Sequence, residues 1–447
     1  MNKYIILFFG LLLSIPNLAQ EQNSYSFSLE EAIDFALKNN RKAQNAARDI
    51  EAAKKQKWET TATGLPQISA AIDYQNWLKQ QVSLIPAEAF GGPEGEFEEL
   101  VFSTKQNMTA TATLSQLLFD GSYIVGLQSA KVYLQISKNA KTKTDLEIRK
   151  AVINAYGNVL LAEESVAILN RNIEILTKNL NETTKIFENG LEEEESVEQL
   201  KITLSSVKSN LNNTKRLKTL AYQMLNITLG LDINTQTTLT DNLETLTAKH
   251  MNLALLEAEE TVENTIDYQI AENDLVSKEL LVKLEKSKAL PTLSAFINGG
   301  YASYSDSFTF LDNDQRWFGS SLLGISLNIP IFSSGMRSAS TQRAQINLEK
   351  AKANLTETEQ QLKLQIANAK SQYQFAIEEY SNKKENLKLA ERIEQKNQTK
   401  FFEGISSSFE LRQAQMQLYS AQQEFLQAML NVINAKAELE TILNIID

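Results

Sequence analysis

The chain has 447 residues, no cysteine, one histidine and a formal net charge of -11 at pH 7. The lack of cysteine excludes disulfides, thiolate chemistry and iron–sulfur ligation. An acidic chain without a Lys/Arg-rich patch is a poor nucleic-acid binder, because neutralisation of phosphates dominates that affinity. No glycine-rich phosphate loop is present, and the sole imidazole, His250, is predicted to be an exposed surface residue. We therefore expect no catalytic site, no cofactor and no nucleic-acid partner.

The first stretch of the chain, "MNKYIILFFGLLLSIPNLAQ", predicts a secretory signal peptide over residues 1–19. Lys3 precedes an apolar core of about ten residues, and Pro16 and the small residue Ala19 follow it. A membrane anchor is the alternative, but the apolar run is too short to span a bilayer. No later stretch approaches 18 consecutive apolar residues, so no transmembrane helix is expected in an exported chain.

The rest of the sequence is a duplication, since three pairs of segments match in the same order. The pairs are 59–74 with 285–301, 114–134 with 327–348, and 187–204 with 401–418. Each copy predicts the order helix, strand, strand, long helix, turn, helix. The expected divisions are a signal peptide (1–19), a first structural repeat (20–233), an inter-repeat connection (234–252) and a second structural repeat (253–447), with strand-containing parts near 66–118 and 291–332.

One very long helix is predicted in each copy, from about Ser122 to Asn189 and from about Ser334 to Glu403. Neither segment contains an internal proline, and each would span about 100 Å. Their apolar residues recur at spacings of 3, 4 or 7, which predicts coiled-coil packing along the whole length. The seam residues are Val152, Tyr156, Val159, Val166, Leu169, Ile173, Leu176, Leu180 and Phe187 in the first copy, and Leu362, Ile366, Ala369, Tyr373, Ala376, Tyr380 and Leu387 in the second.

Four segments alternate at period two and predict strands with one apolar face and one face of small polar residues. In "GISLNIPI" (324–331), for example, every second residue is isoleucine or leucine. Such strands suit an outer-membrane barrel, and five aromatic residues at their far ends suit an interfacial girdle: Trp77, Phe102, Phe308, Trp317 and Phe318. A soluble sheet of two hairpins packed on helices is the alternative. Because four strands cannot close a membrane barrel, the membrane interpretation requires several chains, and three would give 12 strands.

With "SFSLEEAIDFALKNN" (26–40) near the mature start and short turns of Phe followed by Gly opening the long helices (119–121 and 332–335), the duplicated plan resembles the TolC-like outer membrane efflux proteins. The resemblance implies a mostly α fold with a small β part. Its duplicated helical hairpins would form a trimeric α-helical barrel in the periplasm, and four strands per chain would enter a shared 12-stranded barrel in outer-membrane lipid. It also implies a passive exit channel engaged by a periplasmic adaptor protein and an energised inner-membrane transporter. Efflux of small molecules and type I secretion of proteins both remain open.

The resemblance further implies that the turn after each long helix is the periplasmic tip. The residues expected to contact the adaptor are Gly190, Leu191, Ser196, Gly404 and Ile405. The family pattern is only partly kept here, because Glu410 stands where Asp is common, and Gln413 and Ser196 stand where Asp is frequent. Ser406 replaces an Arg that helps to lock one well-known member. The residues expected at the aperture, with an effect on selectivity, are Glu192, Glu193, Glu194, Glu195, Glu410 and Gln413.

The stretch "FENGLEEEESVEQL" (187–200) contains that first turn. Gly190 predicts a helix stop, and Ser196 with Gln199 has the form of a capping box that starts the return helix. The four glutamates between them would be favoured by the macrodipole of that helix. Their alternative interpretation is a metal site. Four adjacent side chains on a turn point in different directions and no His, Cys or Asp lies nearby, so no metal is expected.

The sequence therefore predicts an outer-membrane exit channel rather than an enzyme. The alternative is a soluble periplasmic coiled-coil adaptor or scaffold protein. An adaptor has one helical hairpin flanked by lipoyl-like and barrel domains, whereas this chain has two hairpins in a duplication, which favours the channel.

Overall fold

The computed structural model describes residues 24–257 and 261–445. The predicted signal peptide (1–19) lies outside the described residues. The helices are α1 (Leu29–Asn39), α2 (Arg41–Ala62), α3 (Gly121–Glu188), α4 (Glu194–Leu229), α5 (Leu243–His250), α6 (Ala254–Glu257), α7 (Ile266–Ser287), α8 (Met336–Phe402) and α9 (Ser408–Leu443). The strands are β1 (Tyr25–Phe27), β2 (Gln67–Asn76), β3 (Ser83–Pro86), β4 (Phe97–Leu100), β5 (Gln106–Asp120), β6 (Thr237–Leu239), β7 (Thr292–Ser305) and β8 (Phe318–Asn328).

The two predicted long helices are α3, with 68 residues, and α8, with 67. Their ends lie within two residues of the predicted ends. The return helices α4 and α9 have 36 residues each. One window of α3 is apolar enough to cross a membrane by length and composition, but 56% of it is buried within the protein. A core helix passes the same test, so this window is weak support for a membrane helix.

The chain divides into two compact units. The first comprises Met1–Asp49, Lys138–Ala271 and Thr356–Asp447, and the second comprises Ile50–Ser137 and Glu272–Leu355. We call them the hairpin unit, which contains α4 and α9, and the sheet unit, which contains β2, β5, β7 and β8.

The sheet unit is built on one antiparallel four-stranded sheet in the order β2-β5-β7-β8. The strand register places Ile68, Leu114, Ile297 and Leu323 in one row across it. Successive side chains alternate between faces, so all four predicted apolar faces lie on the same side of the sheet. The opposite side is mixed: Asn298 Nδ2 donates to Thr113 Oγ1 at 3.1 Å, and Phe296 and Leu322 lie on the same side. A small additional sheet, which the sequence did not predict, pairs β3 with β4.

The hairpin unit is held by the predicted heptad seams. In α3 and α8 the buried seam residues are Val152, Tyr156, Val159, Leu169, Leu176, Leu362, Ile366, Ala369, Tyr373, Ala376 and Tyr380. Between α3 and α4 a separate apolar cluster forms from Leu169, Leu176, Leu200, Leu204, Val207 and Leu211. Phe187 is an exception to the seam, because it lies at the exposed end of α3.

The stretch predicted as an inter-repeat connection folds as part of the hairpin unit. Its strand β6 pairs in parallel with β1. Asp241, which follows β6, accepts hydrogen bonds of 2.8 Å from the Leu29 backbone and from the hydroxyl of the fully buried Tyr156. His250 ends α5 and is half-buried, so the prediction of an exposed side chain is wrong. Its Nδ1 lies 2.8 Å from the Leu246 carbonyl oxygen, and burial lowers its pKa.

Candidate functional site

The first hairpin turn ends α3 in the way that its glycine predicts. Gly190 has a φ of 75°, a left-handed conformation that glycine adopts at little cost. Its N–H donates to the Phe187 carbonyl at 2.8 Å, and the N–H of Leu191 donates to the Ile186 carbonyl at 3.1 Å. These two bonds form a Schellman motif, which satisfies the last carbonyls of the helix.

The second turn repeats the motif. Gly404 has a φ of 72°, its N–H donates to the Phe401 carbonyl at 3.0 Å, and the N–H of Ile405 donates to the Lys400 carbonyl at 2.8 Å. Each glycine is followed by an apolar side chain in solvent, since Leu191 is 78% exposed and Ile405 is 71% exposed. The duplication therefore gives two matching turns, each with one exposed apolar residue directly after its glycine.

The return helix α4 begins at Glu194, before the predicted start, and the prediction of a Ser196–Gln199 capping box is wrong. Glu193 is the N-cap residue and makes no side-chain cap. Ser196 lies inside the first turn, buried, and its Oγ donates to Glu192 Oε1 at 2.6 Å. Gln199 Nε2 instead donates to Glu195 Oε1 at 2.8 Å. The helix starts earlier because its first residues are carboxylates, which the helix N-terminus favours.

The return helix α9 has the capping box that α4 lacks. The Glu410 N–H donates to Ser407 Oγ at 3.3 Å, and the Ser407 N–H donates to Glu410 Oε2 at 3.1 Å. Ser406 Oγ donates to the same carboxylate oxygen at 2.5 Å. The Ser406 hydroxyl, followed by the Ser407 backbone, holds the pKa of Glu410 below its usual value. The signal for this cap, serine followed three residues later by glutamate, was readable in the sequence.

The other predicted aperture residues are solvent-facing. Four of them are exposed, namely Glu193, Glu194, Glu195 and Gln413. Glu192 is half-buried and accepts the hydrogen bond from Ser196. Among the described residues, no group of three or more His, Cys, Asp or Glu side chains is arranged to hold a metal ion.

The two turns belong to one site, because their return helices begin side by side. A small cavity is lined by residues of both, namely Ser196, Gln199, Leu200, Thr203, Phe401, Ser408, Leu411 and Arg412. Sequence reasoning thus found the turns, and the structure brings them together.

Behind the turns lies a polar seam that sequence reasoning missed, in which Asn172 and Asn179 are buried and Gln398 and Gln422 are half-buried. Asn172 Nδ2 donates to Gln422 Oε1 at 2.9 Å, and Gln398 Nε2 donates to Asn179 Oδ1 at 3.0 Å. Asn172 is 4% exposed and Asn179 is fully buried. Each bond joins α3 to a helix of the other hairpin. The available signal was the seven-residue spacing of the two asparagines, which places both on one stripe of α3.

Comparison with known proteins identifies the family. The family model described as outer membrane efflux protein matches residues 32–231 and 258–444. The outer membrane protein TolC of Escherichia coli strain K12 is 22% identical over 456 residues, which covers 99% of this chain and 87% of TolC.

Solved structures share the fold. The Campylobacter jejuni CmeC outer membrane channel superposes with a TM-score of 0.72 at 18% identity, covering 93% of this chain and 85% of that one. The open state of the Neisseria gonorrhoeae MtrE outer membrane channel gives a TM-score of 0.70 at 18% identity, covering 93% and 88%. The family model spans most of the sequence, and the alternative of a soluble adaptor is thereby removed. The chain belongs to the outer membrane efflux protein family, and it is an outer-membrane exit channel, a transport protein and not an enzyme.

Proposed function

We propose that three copies of this chain form a homotrimer whose sheets join into one 12-stranded barrel in the outer membrane. The observation that carries the proposal is the open sheet. Within the described residues, β2 and β8 each have a neighbour on one side only. An unpaired strand edge is not tolerated in hydrocarbon, where every backbone group needs a partner.

The strand directions support closure between copies. Neighbours in the order β2-β5-β7-β8 are all antiparallel, so β8 of one copy can pair antiparallel with β2 of the next. The apolar face, with Ile68 at 79% and Ile325 at 71% exposure, would then meet lipid. The helical hairpins of the three copies would line a shared periplasmic tunnel.

The channel would work by gated diffusion, without chemistry on the substrate. A periplasmic adaptor protein would engage the two hairpin turns, and an inner-membrane transporter would supply the energy. Leu191 and Ile405 are the contacts we assign to the adaptor, because an exposed apolar side chain gains free energy when a partner covers it. Gly190 and Gly404 form the turns that expose these two side chains, and the buried Ser196 contributes by holding Glu192. Tripartite efflux and type I secretion systems both fit this arrangement.

The aperture would be selective for cations. Glu192, Glu193, Glu194, Glu195 and Glu410 of three copies would surround one mouth, where clustered negative charge raises the local concentration of cations. Gln413 would lie beside them on the first turns of α9 as a neutral polar residue.

The mass of the mature protein in detergent, extracted from the outer-membrane fraction, tests the proposal. We expect a trimer that forms conducting pores in a planar lipid bilayer. A monomer or dimer recovered from the soluble periplasmic fraction would contradict the shared barrel.

A further inference from the structure

The two ends of the four-stranded sheet carry opposite charge. At one end, the connections 77–105 and 306–317 contain mainly acids: Glu88, Glu94, Glu96, Glu98, Glu99, Asp306, Asp312 and Asp314, against Lys79, Lys105 and Arg316. At the other end, the strands meet helices, and there the balance is reversed. The end of α2 contributes Lys54, Lys55 and Lys57, the end of α7 contributes Lys283, Lys286 and Lys288, and the start of α8 contributes Arg337 and Arg343, against Glu59 and Glu285 in the same segments.

Three of these basic groups already bind carboxylate or carbonyl oxygens of the same chain. Lys54 pairs with Glu51 at 2.6 Å, and Lys288 pairs with Glu285 at 2.7 Å. Arg337 donates to the carbonyl oxygens of Pro330 at 2.7 Å and Ile331 at 3.1 Å, which fixes the chain between β8 and α8.

The remaining five form what we call the basic collar: Lys55, Lys57, Lys283, Lys286 and Arg343. No ion pair joins any of them to a carboxylate in the part of the chain that the structure describes. Four are exposed and Lys57 is half-buried. Lys55 acts on the nearby Glu51 carboxylate without an ion pair, and all five cations have room for a direct contact with an external anion.

The two helices that carry the four collar lysines, α2 and α7, flank the start of α3. The Tyr123 hydroxyl donates to the Thr61 carbonyl of α2 at 3.0 Å, and Ser287 Oγ of α7 donates to Ser122 Oγ at 3.4 Å. The ends of α2 and α7 therefore lie on either side of one helix, at the same edge of the sheet. This packing gathers lysines that the sequence separates by more than two hundred residues, which is why no basic patch was visible in it.

An exposed tryptophan marks the level of the collar. Trp58 is 62% exposed and lies on α2 three residues after Lys55, on the helix face opposite the buried Ala53. Beyond it, towards the strands, exposed apolar residues begin, with Leu65 at 43% and Leu290 at 46%. The order at the end of α2 is thus lysine, tryptophan, then apolar side chains, and at the end of α7 it is lysine, then apolar side chains. Charged groups at headgroup depth, an interfacial indole and an apolar band mark the border of a bilayer.

We propose that the basic collar binds the phosphate groups of anionic phospholipid headgroups in the membrane leaflet next to the helices. The inference rests on the proposed insertion of the sheet into the outer membrane. Lysine is a point-charge phosphate ligand, and juxtamembrane lysines each favour an anionic surface by roughly fivefold at physiological salt. The acidic connections 77–105 and 306–317 would be repelled by such a surface, so the opposite charges also orient the sheet.

The test measures which lipids stay with the full-length mature protein. The protein is reconstituted into vesicles of phosphatidylethanolamine and phosphatidylglycerol at three to one, extracted in mild detergent, and its retained lipids are quantified by native mass spectrometry. The variant combines Lys55→Gln, Lys57→Gln, Lys283→Gln and Lys286→Gln. The control removes the same charge from exposed lysines of the hairpin unit by Lys201→Gln, Lys208→Gln, Lys215→Gln and Lys388→Gln.

We expect the unaltered protein and the control to retain phosphatidylglycerol in preference to phosphatidylethanolamine. In the collar variant, the ratio of retained phosphatidylglycerol to phosphatidylethanolamine should fall at least tenfold. Raising the salt concentration should weaken retention in the unaltered protein, because the contact is electrostatic. Equal headgroup retention by the variant and the control would overturn the collar while leaving the membrane sheet intact. Failure to insert into vesicles of any composition would overturn the membrane sheet itself, and the collar with it.

Discussion

Asn179 Oδ1 accepts a 3.0 Å hydrogen bond from Gln398 Nε2, and this bond joins the long helices α3 and α8 inside the hairpin unit. A leucine and valine cluster holds α3 to α4, whereas amides join α3 to the other hairpin. Near the turns, polar contacts therefore join the two hairpins, whereas further along the unit both long helices and both return helices share one apolar core. The polar seam lies outside that core, so we expect the turns to separate along the seam while the core holds the rest of the hairpin unit together.

Replacing both amides by Asn179→Leu and Gln398→Leu should stabilise the closed arrangement. A buried polar pair replaced by well-packed apolar residues is often neutral or stabilising, whereas Asn179→Leu alone leaves the Gln398 amide without its partner and should cost about 1–3 kcal/mol. Thermal unfolding checks the stabilities, and single-channel recording in a planar bilayer should show fewer openings for the double variant. The exposed pair Asn382 and Asn386, changed to alanine, is the control. Openings as frequent as in the unaltered protein would contradict the seam as the moving boundary.

Adding a methyl group at either hairpin turn should destabilise it. Gly190→Ala and Gly404→Ala force a side chain into a left-handed conformation, which costs roughly 1–2 kcal/mol. Gly126→Ala is the matched control. It lies inside α3, its added methyl would meet Thr60 Cγ2 at 3.7 Å, and alanine is favoured over glycine in a helix by about 1 kcal/mol. The midpoint of chemical unfolding should therefore fall for Gly190→Ala and Gly404→Ala and rise for Gly126→Ala. A fall in all three variants would contradict the assigned turn geometry.

The capping box at the second turn predicts a pH dependence. The pKa of Glu410 in the folded chain lies below the usual 4.5, with the Ser406 hydroxyl as the main cause. Its stabilising contribution is therefore complete above pH 4.5 and is lost as the pH falls through the lower folded value. Glu410→Gln should lower the melting temperature at pH 7 and have little effect near pH 3. Glu198→Gln, on an exposed residue of α4, serves as control, and an equal loss at both pH values would rule out the charged cap.

The apolar residues at the turns should be needed for transport but not for folding. Leu191→Asp with Ile405→Asp places charge where we expect an adaptor to cover apolar surface, so cross-linking to the adaptor and efflux in cells should fall together. Leu253→Asp changes another exposed leucine, at 63% exposure, and should leave both intact. Normal efflux by the double variant would remove Leu191 and Ile405 from the contact.

Charge reversal should invert the ionic preference of the pore. Changing Glu192, Glu193, Glu194, Glu195 and Glu410 to lysine should convert a cation preference into an anion preference, measured as the reversal potential across a bilayer in a salt gradient. The effect should weaken at high salt, because exposed charges are screened. If both selectivity and transport stay unchanged, these carboxylates do not line the aperture.

The long helices and the sheet faces could be read from the sequence because each has a sustained period. The predicted ends of α3 lie within one residue of the observed ends, and period-two alternation predicted the apolar faces that contain Ile68 and Ile325, which the register places on the same side of the sheet. Local signals were less reliable. Ser196-x-x-Gln199 and Ser407-x-x-Glu410 have the same form, yet only the second is a cap, because carboxylates already begin α4 at Glu194.

The buried amides could not be found from the sequence, because their position depends on tertiary packing. In the sequence, Asn179 lies among Glu, Lys and Gln residues and is indistinguishable from a solvent-exposed residue. It is buried only because the other hairpin packs against α3. The basic collar was hidden for a related reason, since α2 and α7 are distant in sequence and meet only across α3.

The parallel pairing of β1 with β6 has a consequence for the biogenesis of this chain. Tyr25 pairs with Thr237, and the backbone N–H of Leu29 donates to the carboxylate of Asp241. An exported chain emerges from its N-terminus, so the strand that appears first cannot find its partner until the whole first repeat has crossed the inner membrane. Until then the hydroxyl of Tyr156 on α3 also lacks its Asp241 acceptor, so the beginning and the end of the first repeat are joined only when its export is complete.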